Sequence, residues 1–328
     1  MTAWKAPVLC ALVLAPLTGG AIPAAAMADT LFVSDERDNT VTVIDSATLK
    51  VIKQIPVGRR PRGIVVTPDF REVLVCAGDD NRIDVIDTQQ LAVKRSLNPG
   101  PDPETLGLSP SGATVYIANE DDSMLSMLDR KTGSLIGRIV VGIEPEGVAV
   151  NSDETIGVVV SESSSMAHFF DPHTQKLTAN VLVDARPRVV EFTPDQQRVW
   201  VASEVGGTVG VINAASKTLE RKISFQIPGV RPEFIQPEGI RFVPALDTAF
   251  VALGRANHVA VVKLSTYEVQ GYIPVGRRVW QLGLSRDAST LYSVNGLTND
   301  LSVIDVASRK VRQSIPVGKL PWGIAVIP

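Results

Sequence analysis

An acidic residue returns along this chain at a fixed interval. It closes a short apolar run reading VID or a close variant, at Asp45, Asp87, Asp129 and Asp171, each 42 residues after the last, with Asn213 in step. Lys263 follows 50 residues later, and Asp305 another 42. Six intervals define seven units, and one unit carries an eight-residue insertion. Each unit reads as four short apolar runs separated by turns rich in Asn, Gly, Asp, Ser and Pro, the residues that turn geometry demands. The last copy, LYSVNGLTNDLSVIDVASRKVRQSIPVGKLPWGIAVIP, shows all four runs. A period of this length with four strands per unit predicts an all-β, seven-bladed propeller of four-stranded antiparallel blades.

Ring closure is also expected. The first full copy opens at LFVS and lacks its leading strand, while the final WGIAVI run is one strand too many. With strands named A to D from the axis outward, blade I takes A from Gly323–Ile327 and B, C and D from Leu31–Val57. Blade II runs A Gly63–Thr67, B Val73–Ala77, C Ile83–Asp87 and D Leu91–Leu97. Closure in this manner removes the free edges that an open row of sheets would leave. Runs such as VLVCA and VYIAN are apolar on consecutive residues, as strands packed on both faces must be.

Residues 1–28 carry one Lys, an apolar middle and a small-residue end at Ala26-Met27-Ala28. They read as a cleavable secretory signal peptide, which places residues 29–328, the propeller, in the periplasm without a membrane anchor. Cys76 is then the one cysteine left, so no internal disulfide forms and burial must hold the fold. The formal net charge of −3 exerts no general pull on nucleic acid or anionic lipid.

Several repeated residues have structural explanations. The VID aspartate is placed to accept a hydrogen bond from backbone two residues on, which stabilises the turn into strand D. The glycines of the IPVG motif (Gly58, Gly142, Gly276, Gly318) are expected to serve left-handed turns between blades. Gly63, Gly147, Gly239 and Gly323 are expected where A strands crowd the axis.

The units resemble the YVTN family of propeller repeats, which combines a YVAN-like B strand, a VSVID-like C strand and an IPVG-P-x-G linker. Here these are LYSVN, LSVID and IPVGKLPWG, or VYIAN and VGIEPEG. The whole pattern is most similar to the propeller proteins associated with PQQ-dependent alcohol catabolism. That resemblance implies a periplasmic accessory protein working beside a quinoprotein dehydrogenase, a cytochrome or an ABC transporter component. It implies no reaction.

Motifs for catalysis are sparse. There is no haem-attachment Cys-x-x-Cys-His, phosphate-binding glycine loop or G-x-S-x-G elbow. His168, His173 and His258 form no ligand motif and read as surface residues. The acidic runs Asp79-Asp80-Asn81 and Glu120-Asp121-Asp122 lack the glycine and terminal glutamate of a calcium loop.

What varies between equivalent positions is more informative. The residue preceding strand A, the x of P-x-G, is Arg62, Glu104, Glu146, Arg188, Glu238, Trp280 and Trp322 in order around the ring. Trp280, Trp322 and Arg62 fall in adjacent blades, and their linkers add Arg277, Arg278, Lys319, Arg59 and Arg60. This sector suits a planar anion, because indoles offer stacking area and guanidiniums grip carboxylates bidentately. PQQ or an acidic aromatic product would fit, making the protein a non-catalytic binding or scaffold module. The alternative is an enzyme, a metal-dependent lactonase-like hydrolase with Glu104, Glu146 and Glu238 as ligands, which Arg188 among them opposes. Nucleic-acid binding lacks the wide positive surface it needs. The insertion, Gln226–Gln236, is expected to form a stiff apolar flap on the same face, through Pro228, Pro232 and the following Pro237, with Phe225 before it and Phe234 within it.

Overall fold

The computed structural model describes residues 1–3 and 29–328; the expected signal peptide lies, but for its first three residues, outside the described residues. Seven four-stranded antiparallel sheets are arranged as a propeller, and the strands follow the repeat. In blade II they are Pro61–Val66, Glu72–Ala77, Arg82–Asp87 and Ala92–Leu97, within one residue of expectation at every boundary but one. Blade I joins Pro321–Ile327 to Thr30–Asp35, Thr40–Asp45 and Lys50–Pro56. The closing register pairs Leu31 with Val326 and Val33 with Ile324.

The core is divided into seven seams, each formed by two neighbouring blades. Leu31, Val33 and Ile44 of blade I meet Tyr292, Val294, Leu301 and Val303 of blade VII. On the other side of blade I, Phe32, Val41 and Val43 meet Val73, Val75 and Ile86 of blade II. Successive side chains of a strand point to opposite faces, so one LFV or VTVI run supplies both seams, and both faces of each B and C strand are buried.

Turn chemistry follows the sequence. The Asp45 carboxylate accepts from the N–H groups of Ala47 and Thr48 at 2.9 and 2.8 Å, and Asp87, Asp171 and Asn213 do the same. Blade VI, where Lys263 replaces the acid, recruits Asp247 from the preceding turn to hold Ser265 instead.

The IPVG glycines correct an expectation: none has positive φ. The left-handed residue sits two places on, at Arg60, Glu144, Arg278 and Leu320. Gly58 is needed for space, since a Cβ there would lie 2.6 Å from the Ala77 Cβ; at Gly276 it would lie 2.6 Å from the Asn295 Nδ2. The axial glycines do serve close approach, with the Gly63 Cβ position 2.6 Å from the Thr105 Cα and that of Gly323 2.7 Å from the Arg62 carbonyl oxygen.

His168 is a second correction: it is buried on strand C of blade IV. Its Nε2 accepts from the Gly142 N–H at 3.0 Å while Nδ1 meets the Asn180 side chain at 2.7 Å. Asp84 plays the same part in blade II, accepting from the Gly58 N–H. Cys76 is fully buried, and burial pushes its thiol pKa up.

Removing residues 319–328 would strip strand A from blade I and open two seams. We expect loss of a single cooperative unfolding transition in calorimetry; an unchanged melting temperature would contradict ring closure.

Candidate functional site

Seven bulges position the site. In blade II, Pro61 pairs with Ala77 and Ile64 with Val75, so Arg62 and Gly63 together oppose one residue. Equivalent shifts fall at the same place in all seven A strands. A bulge re-aims a side chain, and here it turns the P-x-G residue of each blade into the channel mouth. The strand opens on proline in every blade but VII, where Val279 takes the place. Proline is tolerated there because the first strand residue need not donate to the ladder.

The loops after strand B join the same face. The first loop residue donates its N–H to the third linker residue in six blades, as in Glu36 to Leu320, Glu120 to Asp102, Glu162 to Glu144 and Glu204 to Arg186. This pairing lays a second ring of side chains over the first. Glu36, Glu120, Glu162 and Glu204 belong to it, and their spacing is 42 or a multiple of it. The signal was therefore present in the repeat, one residue beyond each YVAN-like strand.

Arg188 occupies the centre of the mouth. It is 5% exposed, and its guanidinium contacts Glu146 at 2.7 Å, Glu162 at 3.1 Å and Glu204 at 3.4 Å. Burial alone would lower its pKa, but Glu146, Glu238, Glu162 and Glu204 outweigh that and hold it well above the usual range. Arg278 extends the network to Glu204 at 2.7 Å and Glu238 at 3.6 Å, and Arg186 bridges Glu162 and Glu204. On the opposite side Arg62 binds Glu104 at 2.8 Å and Glu36 at 3.1 Å, while Arg60 pairs with Asp79, Asp102 and Glu104. Below the mouth the axis holds a cavity of about 100 Å³, with Arg188, Glu191, Arg241, Gln281 and Trp322 among its walls.

Five guanidiniums thus face eight carboxylates, and the imbalance appears in the proton affinities. Glu104 is buried, yet Arg62 and Arg60 overcome desolvation and hold it near 2. Glu204 is likewise lowered, because Arg188 and Arg278 outweigh its burial. Glu238 has no such partner: its Oε1 lacks a hydrogen bond, and burial pushes it up to about 8. Glu146 is also raised by burial, and Glu120, half-buried beside Glu104, is raised to about 7 by desolvation and by that neighbouring acid.

The residues singled out in the sequence divide into two groups. Trp280 and Trp322 come together, stacked with ring centres 6.0 Å apart at 29°. Arg278 lies 3.8 Å over the Trp280 ring, and Arg188 approaches it to 5.4 Å. Trp322 is only 3% exposed. Arg60, Arg62 and Arg278 are turned inward onto carboxylates. Arg59, Arg277 and Lys319 remain at the exposed rim, Arg59 on Asp80 at 2.7 Å and Lys319 on Asp38 at 3.8 Å. Of the three glutamates considered as metal ligands, Glu104 alone among the described residues has two further acids, Asp102 and Glu120, close enough to share one ion. Arg60 contacts two of those three acids.

The insertion is tied down at both ends. Phe225 and Ile235 are buried in the seam between blades V and VI, Ile227 and Val230 pack against it, and the Gln226 N–H donates to the Tyr272 hydroxyl at 2.8 Å. Its tip makes a short 3₁₀ turn at Pro232–Phe234, with the Arg231 guanidinium 4.3 Å from the Phe234 ring centre.

A family model described as YNCE-like beta-propeller matches residues 2–113. No curated protein matches the sequence. Among solved structures, the chain is similar to Kuenenia stuttgartiensis hydrazine synthase, with TM-score 0.76 and 18% identity over 89% of this chain and 99% of that one. A functionally unknown protein from Desulfotomaculum acetoxidans gives 0.79 and 16%, over 91% and 98%. A putative 6-phosphogluconolactonase from Bacteroides fragilis gives 0.78 and 15%, over 93% and 99%. At these identities the likeness is one of fold.

Two outcomes are expected. Arg188→Met leaves Glu146, Glu162 and Glu204 buried without their shared cation and should cost about 3–5 kcal/mol at neutral pH, read by denaturant unfolding. The second concerns Glu238. Folded, it keeps its proton to about pH 8, whereas the unfolded group releases it near 4.5. The folded chain therefore binds the extra proton between those values, and stability falls as pH rises through that window. Glu238→Gln should flatten that fall and be the more stable protein at the alkaline end; parallel pH profiles would contradict the assignment.

Proposed function

We propose that the protein is an exported, non-catalytic binding module that presents its linker face to a protein partner and holds a small planar anion there. The observation that carries this reading is Arg188, anchored on the axis by three carboxylates. A hydrolase of the lactonase type needs carboxylates free to ligate a divalent cation and a position open to substrate. Here a guanidinium fills the place of the cation among Glu146, Glu162 and Glu204, and Arg60 with Arg62 occupies Glu104.

The repeat resemblance supports a role beside PQQ-dependent alcohol oxidation or its associated transport. The partner would be a quinoprotein dehydrogenase, a cytochrome or an ABC transporter component, met in the periplasm. PQQ, planar and rich in carboxylates, is one ligand of the right chemistry. Arg60, Arg62 and Arg278 are neutralised by acids at the mouth, Arg59 is paired with Asp80 and Lys319 with Asp38, so Arg277 is the linker cation left open to it among the described residues. Rigid loops on a scaffold of this kind are suited to recognition.

The hydrolase reading keeps one supporting feature, the cluster of Asp102, Glu104 and Glu120. The fold likeness to a putative lactonase carries no activity across at 15% identity. Purified protein given calcium or manganese should leave δ-gluconolactone hydrolysing at the buffer rate. Turnover that disappears in Glu104→Gln would replace this reading with an enzyme.

A further inference from the structure

The insertion walls one side of a groove of about 320 Å³ on the linker face, lined by Phe234, Arg255, Asn257, Arg277, Arg278 and Leu297. Its parts come from three fixed turns. The 3₁₀ turn Pro232–Phe234 of the insertion packs against a second, Gly254–Ala256, which carries Arg255. Across from them the loop of blade VII holds Leu297, whose N–H donates to the Arg277 carbonyl at 2.9 Å. The Arg277 N–H in turn donates to the Thr298 hydroxyl at 3.0 Å, and that of Arg278 to the Asn257 side chain at 2.8 Å.

The charges in this groove differ from those at the mouth. Arg278 gives its guanidinium to Glu204 and its flat face to Trp280. Arg255 and Arg277 are exposed, and neither forms an ion pair with a carboxylate among the described residues. The other linker-turn arginines, Arg59, Arg60, Arg186 and Arg278, are all paired, so Arg277 stands apart from them, and the fold brings it to the same groove as Arg255 from the loop after strand B of blade VI. Between the two cations stand apolar surfaces, Phe234 and a Leu297 that is 53% exposed. The volume lies at the small end of the range for small-molecule sites.

We propose that this groove binds a planar aromatic carboxylate with at least two acid groups, its ring against Phe234 and Leu297 and its carboxylates on Arg255 and Arg277. The inference rests on the reading of the linker face as a binding face, and it places the ligand between blades VI and VII instead of on the axis. An exposed ion pair is worth little by itself. Two guanidinium forks meeting two carboxylates, with a ring excluding water between them, supply both affinity and a preference for flat ligands. An aliphatic acid of equal charge would lose the second contribution. A polypeptide is the less suitable occupant, because the groove is short and closed on one side by the insertion.

The test is a calorimetric titration of the full mature chain with naphthalene-2,6-dicarboxylate, and with cyclohexane-1,4-dicarboxylate as the non-planar control. Saturable binding is expected for the naphthalene compound, with the cyclohexane compound about tenfold weaker or more. Arg255→Gln with Arg277→Gln should weaken it about tenfold or more, Phe234→Ala should narrow the gap between the two ligands, and Arg71→Gln, at an exposed turn of blade II, should leave both unchanged. The inference is overturned by absent binding, by equal affinity for the two ligands, or by a double variant that binds like the parent. Tighter binding of an acidic peptide such as Glu-Trp-Glu also overturns it. None of these results touches the non-catalytic reading, which stands or falls on lactone turnover.

Discussion

Closing a row of seven sheets on itself forces seven inner strands around one axis, and most of what is particular to this protein follows from that crowding. The last strand, Pro321–Ile327, completes the first sheet and brings Trp322 beside Arg62 across 260 residues of chain. Around the axis backbones approach until a Cβ has no room, hence glycine at 63, 147, 239 and 323. The strand accommodates the squeeze with a bulge beside each glycine, and the bulge turns the preceding side chain into the mouth. Packing at the axis therefore selects the seven residues that a ligand or a partner would meet there.

Electrostatics then decides what that mouth can do. Burying a charge without a partner is costly, and breaking a buried pair by removing one member costs more than a surface pair ever returns. Arg188 lives under that constraint, as do Arg62 and Arg278. Their acids are consequently unavailable to a cation, and they themselves are unavailable to an anion. Glu238, left with a distant cation and no hydrogen bond, meets the same cost by keeping its proton. A network so occupied forms a floor to the mouth, and the cations that stay solvated are those of the rim.

Blade VI is where the repeat is interrupted. It receives the insertion, lacks the turn aspartate and replaces it with Asp247 from another loop. The extra segment is not a loose addition: Phe225 and Ile235 are anchored in a seam of the core, so the tip carrying Phe234 is held at a fixed height beside Arg255 and Arg277. A chain that departs from its repeat at one place builds there a groove whose two guanidiniums have no carboxylate partner among the described residues, and so breaks its symmetry on the linker face.

The sequence alone determined the architecture, because a propeller repeats its short-range rules seven times. The VID turn, the alternation of apolar runs and the P-x-G linker each depend on residues a few places apart, and the 42-residue period supplies the topology. It also named the channel ring from Arg62 to Trp322 in correct order. What tertiary structure alone decided was which of those charges are free. Arg60 and Glu104 are 44 residues apart and Arg278 and Glu204 are 74, and whether such pairs touch depends on bulges, loop heights and rotamers that no local rule carries. The left-handed position at Arg60 in place of Gly58, and the burial of His168 against the Gly142 N–H, escaped for the same reason: a neighbouring strand sets the available space, and only the closed ring puts that neighbour in place.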